Sequence, residues 1–350
     1  MWLSDLAKRI EKKARLFIIY FWRILFAKNY LKCPWYKKLK ANIFGGYLAD
    51  QWILYDFDHN DKKEYLSEYD WYRSRYINEP FCFFLNNKVI ASEILKQYTQ
   101  VPEIYLVKVG DFIADFDGRL LGYSEAVETI KRKKKVFIKP LDRGKGTGVS
   151  LVAYDNGKMS INRDPCSDEA LIGFLKKRKN WFMSESIEQH AYAANLYDKT
   201  INTMRIITLR SPETQQFKIF FAVQRTGTAA TIPVDNGSQG ALVSKIDLAT
   251  GTLSEARSLH SLDTYARHPD THSQIEGAVI PDWDDVKAQV LHLANKFPYM
   301  HLIAWDILKT SHGICVIEAN NSSGVNIIQL WGGQRNGELG DFYRYHNIIK

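Results

Sequence analysis

Three oxygen-bearing side chains interrupt an otherwise apolar stretch near the end of the chain, LIAWDILKTSHGICVIEANNSSG: Asp306, Glu318 and Asn320. Glu318 and Asn320 lie two residues apart in an extended run, so they share one face of a sheet. With a turn centred near His312, Asp306 stands opposite Glu318, the two Cβ atoms about 5 Å apart, which is chelating distance. Two carboxylates and an amide carbonyl are hard ligands that suit Mg²⁺ or Mn²⁺ rather than zinc, and Mg²⁺ usually accompanies nucleotide phosphates. The plainer reading is that these residues edge the sheet and begin a turn, because Asn-Asn-Ser-Ser-Gly is also ordinary loop chemistry.

Two further segments carry cations into apolar strands. In VFIKPLDRGKGTGVSLV, Lys139 closes a strand and is followed by Gly144, Gly146 and Gly148. An ammonium beside bare backbone N–H groups is a phosphate-binding arrangement, and the alternative is a hairpin turn with glycine at positive φ. The spacing fits neither the P-loop nor the dinucleotide fingerprint. Arg205 sits in the apolar run TINTMRIITLR, where a guanidinium calls for a fixed anionic partner, either a phosphate or a neighbouring acid.

The elements that must hold these residues read as follows. Residues 56–80 form a charged helix closed by Pro80, and 86–98 form a helix with apolar spacing at Val89, Ile90, Ile94 and Leu95, capped by Asn86 or Asn87. From residue 101 short β runs take over (IYLVKVG, VFIKP, GVSLVAY, WFMSESI, MRIITLR, FKIFFAVQRTG), with helices over 168–179 and 284–296. Hairpins with helices laid on them make an α+β protein, not a βαβ one.

At 350 residues and 45% hydrophobic, the chain can bury more than one core. Its net charge of +8 gathers at Lys8, Arg9, Lys12, Lys13 and Arg15 and in the run 131–135, the second of which reads as a solvated helix end and loop before a strand. The excess fits anionic partners such as nucleotide phosphates, sugar phosphates or acidic lipid, while no nucleic-acid-binding signature accompanies it. Cys33, Cys82, Cys166 and Cys315 are scattered, which points to neither zinc nor disulfides and fits a reducing compartment. The apolar stretch 16–26, LFIIYFWRILF, is too short and too interrupted by Arg23 to span a bilayer, and no small-residue cleavage site marks it as a secretory signal. It is either a helix packed on the protein's own core or a basic amphipathic helix on the inner membrane face. His268 and His272 in HPDTH have metal-like spacing but read as a plain loop.

The order of parts resembles the ATP-grasp superfamily. Lys88, Lys139 before a glycine loop, the acidic strand FMSESIEQH, Arg205, Asn236 before Gly240, and Asp306 with Glu318 and Asn320 follow one another over roughly residues 45–335, and NTMRIITL, VDNGSQGALVSKIDLATGTL and AWDILKTSHGICVIEANNSSG look like the sugar-transfer-associated group of bacterial polysaccharide loci. The resemblance implies two α+β lobes gripping ATP, with a mainly helical segment at 1–80, the small lobe within 81–190 and the large lobe within 191–350. It implies that Lys88 and Lys139 touch the ATP phosphates under a lid of Gly144, Lys145, Gly146 and Gly148. Glu185, Ser186 and Ile187 become the adenine hinge, with Glu188 or His190 at the ribose. Arg205 acts with Lys139 on the transferred phosphate, and Asn236 lies beside a metal held by Asp306, Glu318 and Asn320. Two departures stand out: the hinge ends in EQHAY where glycine is usual, and Asn87 replaces the usual Asp before the first lysine.

The activity implied is that of an ATP- and Mg²⁺-dependent carboxylate–amine ligase working through an acyl phosphate in surface-polysaccharide assembly. The expected setting is cytoplasmic, with peripheral membrane contact left open and no nucleic-acid partner. Two rivals use the same cleft: a kinase of a sugar or glycan lipid, and an ATP-binding protein without turnover. Arg225, Lys245 and Arg257 would suit an anionic acceptor.

Overall fold

Two seven-stranded antiparallel sheets face each other in the computed structural model, which describes residues 2–141, 144 and 146–350. The first sheet holds β1 (Ile104–Val109), β2 (Phe112–Ala114), β3 (Lys135–Pro140), β4 (Ser150–Asp155), β5 (Lys158–Ile161), β6 (Asp164–Cys166) and β7 (Asn180–Glu185), in the order β2-β1-β7-β3-β4-β5-β6. Helices Tyr123–Lys133 and Asp168–Lys177 cover one face through Val127, Ile130, Leu171 and Leu175. The basic run ends the first of these helices, with Lys131, Arg132 and Lys133 in its last turn, where the helix dipole favours cations, and β3 follows at once. The helix end expected at this run is present, with a single residue, Lys134, between it and the strand.

The second sheet holds β8 (Met204–Arg210), β9 (Phe217–Thr226), β10 (Leu242–Ile246), β11 (Leu253–Ser258), β12 (Thr264–Tyr265), β13 (Leu302–Thr310) and β14 (Gly313–Asn320), in the order β12-β11-β10-β9-β8-β13-β14. Helix Trp283–Asn295 packs on one face through Val286, Val290 and Leu293, and the end of the chain packs on the other through Val325, Leu339 and Phe342. Both faces are therefore buried, and all nine residues of β13 are buried. Helices Cys82–Asn86 and Lys88–Leu95 join this same core through Phe84, Leu85, Ala91 and Leu95. Asn87 is the cap, accepting from the backbone N–H groups of Val89 and Ile90 at 3.1 Å each.

Residues 56–80 are not one helix. Asp61 caps a short 3-10 turn over Lys62–Glu64, and Ser67 then starts a separate helix, Glu68–Ser74, through a reciprocal cap with Asp70 at 3.1 and 3.0 Å. Side chains that hydrogen-bond their own backbone divert the chain from a continuous helix.

The β13–β14 hairpin contains one irregularity that matters. From Thr310–Gly313 back to Ile307–Val316 the pairing is regular, but Asp306 pairs with Glu318, so Ile317 is an extra residue forming a β-bulge. A two-residue turn at Ser311–His312 would by itself have set Ile317 opposite Asp306. The expected opposition of Asp306 and Glu318 is present, and the bulge produces it rather than a turn centred on His312.

At the N-terminus, helix Trp2–Tyr20 continues as a wider turn over Phe21–Leu25 and is followed by helix Trp35–Gly45. Leu16 and Ile24 are buried against Tyr72, whereas Phe17, Ile18, Trp22 and Phe26 face outward. Among the described residues no helix is long and apolar enough to cross a membrane.

Candidate active site

A cleft of about 680 Å³ separates the two sheets, within the size range of small-molecule sites. Lys88, Lys139, Gly144, Gly146, Glu185, Ile187, Arg205, Asn236, Asp306, Glu318 and Asn320 all line it. Residues separated by more than two hundred positions in sequence thus converge on one cavity.

Its centre is a charge network on the rungs of the large sheet. Arg205 on β8 pairs directly with Asp306 on β13, and its fork engages the carboxylate twice, Nε to Oδ1 at 2.5 Å and Nη2 to Oδ2 at 3.0 Å. A third contact runs from Arg205 Nη1 to Ser323 Oγ at 3.3 Å. Arg225, buried on β9, adds Nη2 to Asp306 Oδ1 at 3.3 Å and lies 3.5 Å from Asp235. Asp235 in turn accepts from Thr203 N and Oγ1 at 2.6 Å each. Burial alone would raise the Asp306 pKa, but the guanidiniums of Arg205 and Arg225 outweigh it and hold the carboxyl below its usual range. The acid partner of Arg205 left open by the sequence is Asp306 itself.

Glu318 faces the other cations. Lys88 Nζ lies 3.5 Å from Glu318 Oε1, and the turn before Lys88 is held by Asn321, whose Nδ2 donates to Cys82 O at 3.0 Å and Asn86 Oδ1 at 2.9 Å. Lys139, at the end of β3 in the opposing sheet, sits 5.5 and 5.8 Å from the Phe137 and Phe182 ring centres. Burial between these walls pushes its pKa down to about 8, with Glu318 opposing the shift and Lys88 adding to it. A buried lysine of lowered pKa beside a second lysine is a site whose charge an oligophosphate would neutralise.

The donor set fits a hard divalent cation. Asp306 and Glu318 share a rung, Asn320 is the next same-side residue of β14, and its Nδ2 donates to Ala304 O at 3.4 Å, so the amide is held through its nitrogen. Among the described residues no cluster of three His, Cys, Asp or Glu offers a competing site.

The lid and hinge are more uneven. Gly146 adopts φ +69°, and a Cβ there would meet Gln239 Nε2 at 3.0 Å and Val234 Cγ2 at 3.2 Å, so the glycine loop rests on the 234–239 segment of the other lobe. Asn236 shapes that segment, accepting from Ser238 N at 3.0 Å and Ser238 Oγ at 2.7 Å. Gly148 is not among the lining residues although its neighbours Thr147 and Val149 are, and Lys145 lies outside the described residues. Glu185 N already donates to Glu103 O at 2.8 Å, while Ile187 packs against Leu308 and Cys315 at the cleft edge. Ser186, Glu188 and His190 continue the same segment outside the cleft walls. His190 Nδ1 accepts from Tyr192 N at 3.1 Å, capping the short helix Ala191–Leu196.

Sequence reasoning passed over Arg225 as a centre residue and missed Thr203, Asp235 and Ser323. An arginine in the apolar run FKIFFAVQRTG, next to a strand with its own arginine, was the available signal. Lys245 and Arg257 do not line the cleft: Lys245 is exposed, and Arg257 pairs with Glu255 at 2.9 Å and donates to Leu330 O. His268 is fully buried, its Nε2 2.8 Å from Gly227 O and its ring stacked on Tyr197 at 4.7 Å, so HPDTH is the structural loop expected.

Residues 68–337 match the family model described as sugar-transfer associated ATP-grasp. The chain belongs to this family. Its ATP-grasp fold is shared, at low similarity, with several solved enzymes. The ATP-grasp ligase PsnB complexed with minimal precursor is 12% identical, with 77% of this chain and 63% of that chain covered at a TM-score of 0.42. D-alanyl-alanine synthetase A from Vibrio cholerae O1 biovar eltor is 11% identical, with 76% and 66% covered at 0.43. The ADP complex of purK, N5-carboxyaminoimidazole ribonucleotide synthetase, is 12% identical, with 69% and 46% covered at 0.39. The matched part of this ATP-grasp chain thus spans between about half and two thirds of those enzymes' length. No curated protein matches it significantly.

Proposed function

We propose that the protein is an ATP- and Mg²⁺-dependent carboxylate–amine ligase serving the assembly or modification of a bacterial surface polysaccharide on the cytoplasmic side. The observation that carries this reading is the opposition of Lys88 and Lys139 to Glu318, on the same rung as Asp306 and its Arg205–Arg225 network: cations for phosphates and hard oxygens for a metal, in one cleft. Asp306, Glu318 and Asn320 would hold Mg²⁺, which when bound withdraws charge from the phosphates. Lys88 and Lys139 hold the phosphates in line, and Arg205 and Arg225 stabilise charge on the transferred group. The substrate carboxylate attacks the γ-phosphorus as ADP leaves. An amine then attacks the acyl carbon, phosphate departs with the C–O electron pair, and the amine nitrogen loses a proton.

The cleft continues past the network to Arg23, Trp71, Arg75 and Asn326, which supports an acceptor bearing negative charge at that end. Burial and Glu68 push the Tyr72 phenol pKa up there, and Arg23 and Arg75 pull it back, so both guanidiniums act on one spot. The test is ADP release against a panel of amino acids and sugar acids as carboxylates, each paired with amines. An ¹⁸O-labelled carboxylate should pass one label into phosphate. ADP release without label transfer would indicate the kinase instead, and ATP binding with no ADP release from any pair would remove both enzyme readings.

A further inference from the structure

The helical segment before residue 47 exposes more large apolar side chains than its own packing uses. Phe17 is 71% exposed, Trp22 63%, Phe26 62%, Trp35 77% and Phe44 71%. Phe21, Trp22 and Phe26 form one cluster with ring centres 4.8 to 5.9 Å apart. The cluster is held rigidly from beneath. Leu16 and Ile24 are buried in the body, Tyr20 donates to the carbonyls of Asn42 and Ile43, and Asn42 Nδ2 donates to Ile24 O at 3.0 Å and Tyr47 O at 2.9 Å. These bonds bring Ile43 and Phe44 of the second helix alongside the first.

Charge decides what covers this face. Residues 1–46 hold eleven lysines and arginines against two acids, a net +9, whereas the whole chain is +8, so all the rest carries only −1. Arg9, Lys13, Lys28, Lys32 and Lys40 of the same segment are exposed. Indole and phenyl rings sharing a segment with ammonium and guanidinium groups match the boundary of a bilayer with anionic headgroups: the rings enter the interface and the cations meet the headgroups. No described helix is long and apolar enough to cross, so the contact is with one face of the bilayer.

We propose that this segment docks the protein on an anionic lipid surface through Phe17, Trp22, Phe26, Trp35 and Phe44 with its exposed basic side chains. Arg23 follows Trp22 in sequence and lines the cleft, so docking brings the far end of the cleft to the bilayer, where an acceptor anchored in lipid reaches it without leaving the surface. The docking stands on the segment's own chemistry and does not depend on the ligase reading.

The test is co-sedimentation of the full chain with sucrose-loaded vesicles of phosphatidylcholine alone and of phosphatidylcholine with 30% phosphatidylglycerol. Partitioning onto the anionic vesicles should exceed that onto neutral ones at least tenfold and weaken several-fold in 0.5 M salt. The double variant Trp22→Glu with Phe26→Glu should lose at least tenfold in partitioning while binding a fluorescent ATP analogue as the wild type does, which shows it folded. Wild-type protein that binds the analogue yet stays in the supernatant with anionic vesicles would overturn the proposal. So would a dimer in solution that the double variant converts to monomer without any vesicle binding, because the face would then belong to a second copy.

Discussion

Replacing Asp306 with Ala removes the carboxylate on which buried Arg225 and partly buried Arg205 converge. Arg205 loses both of its 2.5 and 3.0 Å contacts and keeps only Ser323, while Arg225 retains Asp235 at 3.5 Å and the Thr203 hydroxyl. The cost is therefore that of one stranded guanidinium plus a weakened second. Breaking a buried ion pair from one side costs about 3–5 kcal/mol, and the remaining partner of Arg225 places the expectation near the lower end, at about 3 kcal/mol. Urea unfolding followed by tryptophan fluorescence reads this as a lower midpoint at unchanged slope. Arg205→Met combined with Asp306→Leu removes both charges and should recover most of the loss, because an apolar pair of similar volume replaces the buried ion pair at little net cost. The pH dependence has a definite sign. The folded-state pKa of Asp306 lies below that of the unfolded chain, so its stabilisation is fully present above about pH 4 and is lost only as pH falls below that. The difference between wild type and Asp306→Ala should thus be flat from pH 5 to 8. A loss under about 1 kcal/mol, or a double variant no better than the single one, would refute the account of the network.

Further outcomes follow from the same geometry. Asp306→Ala should also abolish ADP release, whereas full activity would remove the metal assignment. Burial holds the Lys139 pKa at about 8 in the nucleotide-free protein, so ATP affinity measured without added metal should fall about fivefold from pH 8 to 9, and Lys139→Met should bind weakly with no such slope. Gly146→Ala meets a positive φ and a 3.0 Å approach to Gln239, which costs about 1–2 kcal/mol; titration should show ATP binding weakened roughly tenfold with the urea midpoint nearly unchanged, because the loop yields locally. Ser67→Ala removes the cap of helix Glu68–Ser74 and should lower stability by about 1 kcal/mol in the same unfolding assay.

What the chain discloses before folding depends on the range of the forces involved. Glu318 and Asn320 could be read onto one face because β alternation is local, and Asn87 could be read as a cap because its partners lie two and three residues on. The α+β class followed from the same local patterns, as did helices near 88–95, 168–177 and 283–295. The partner of Arg205 could not be read, since Asp306 lies 101 residues away and only the strand order β9-β8-β13 brings Arg225 and Asp306 to either side of it. The supposed helix at 56–80 failed for the opposite reason. Its charged residues satisfy helical spacing, but Asp61 and Ser67 bond to nearer backbone groups first. The amphipathic stretch 16–26 posed a choice between core and surface, and alternate sides of one helix answer to both.

The bulge at Ile317 carries a final consequence. Without it the hairpin would be a more regular ladder, with an additional rung in place of an unpaired residue. The side chains beyond it would then keep the phase of the outer strand, and Glu318 would no longer stand across from Asp306. Selection for a tighter sheet and selection for a working cleft therefore pull in opposite directions at a single position. A one-residue slip of β14 that absorbed the bulge would set Ile317 opposite Asp306 and take Glu318 off that rung, so the irregularity has to be maintained against the sheet's own preference.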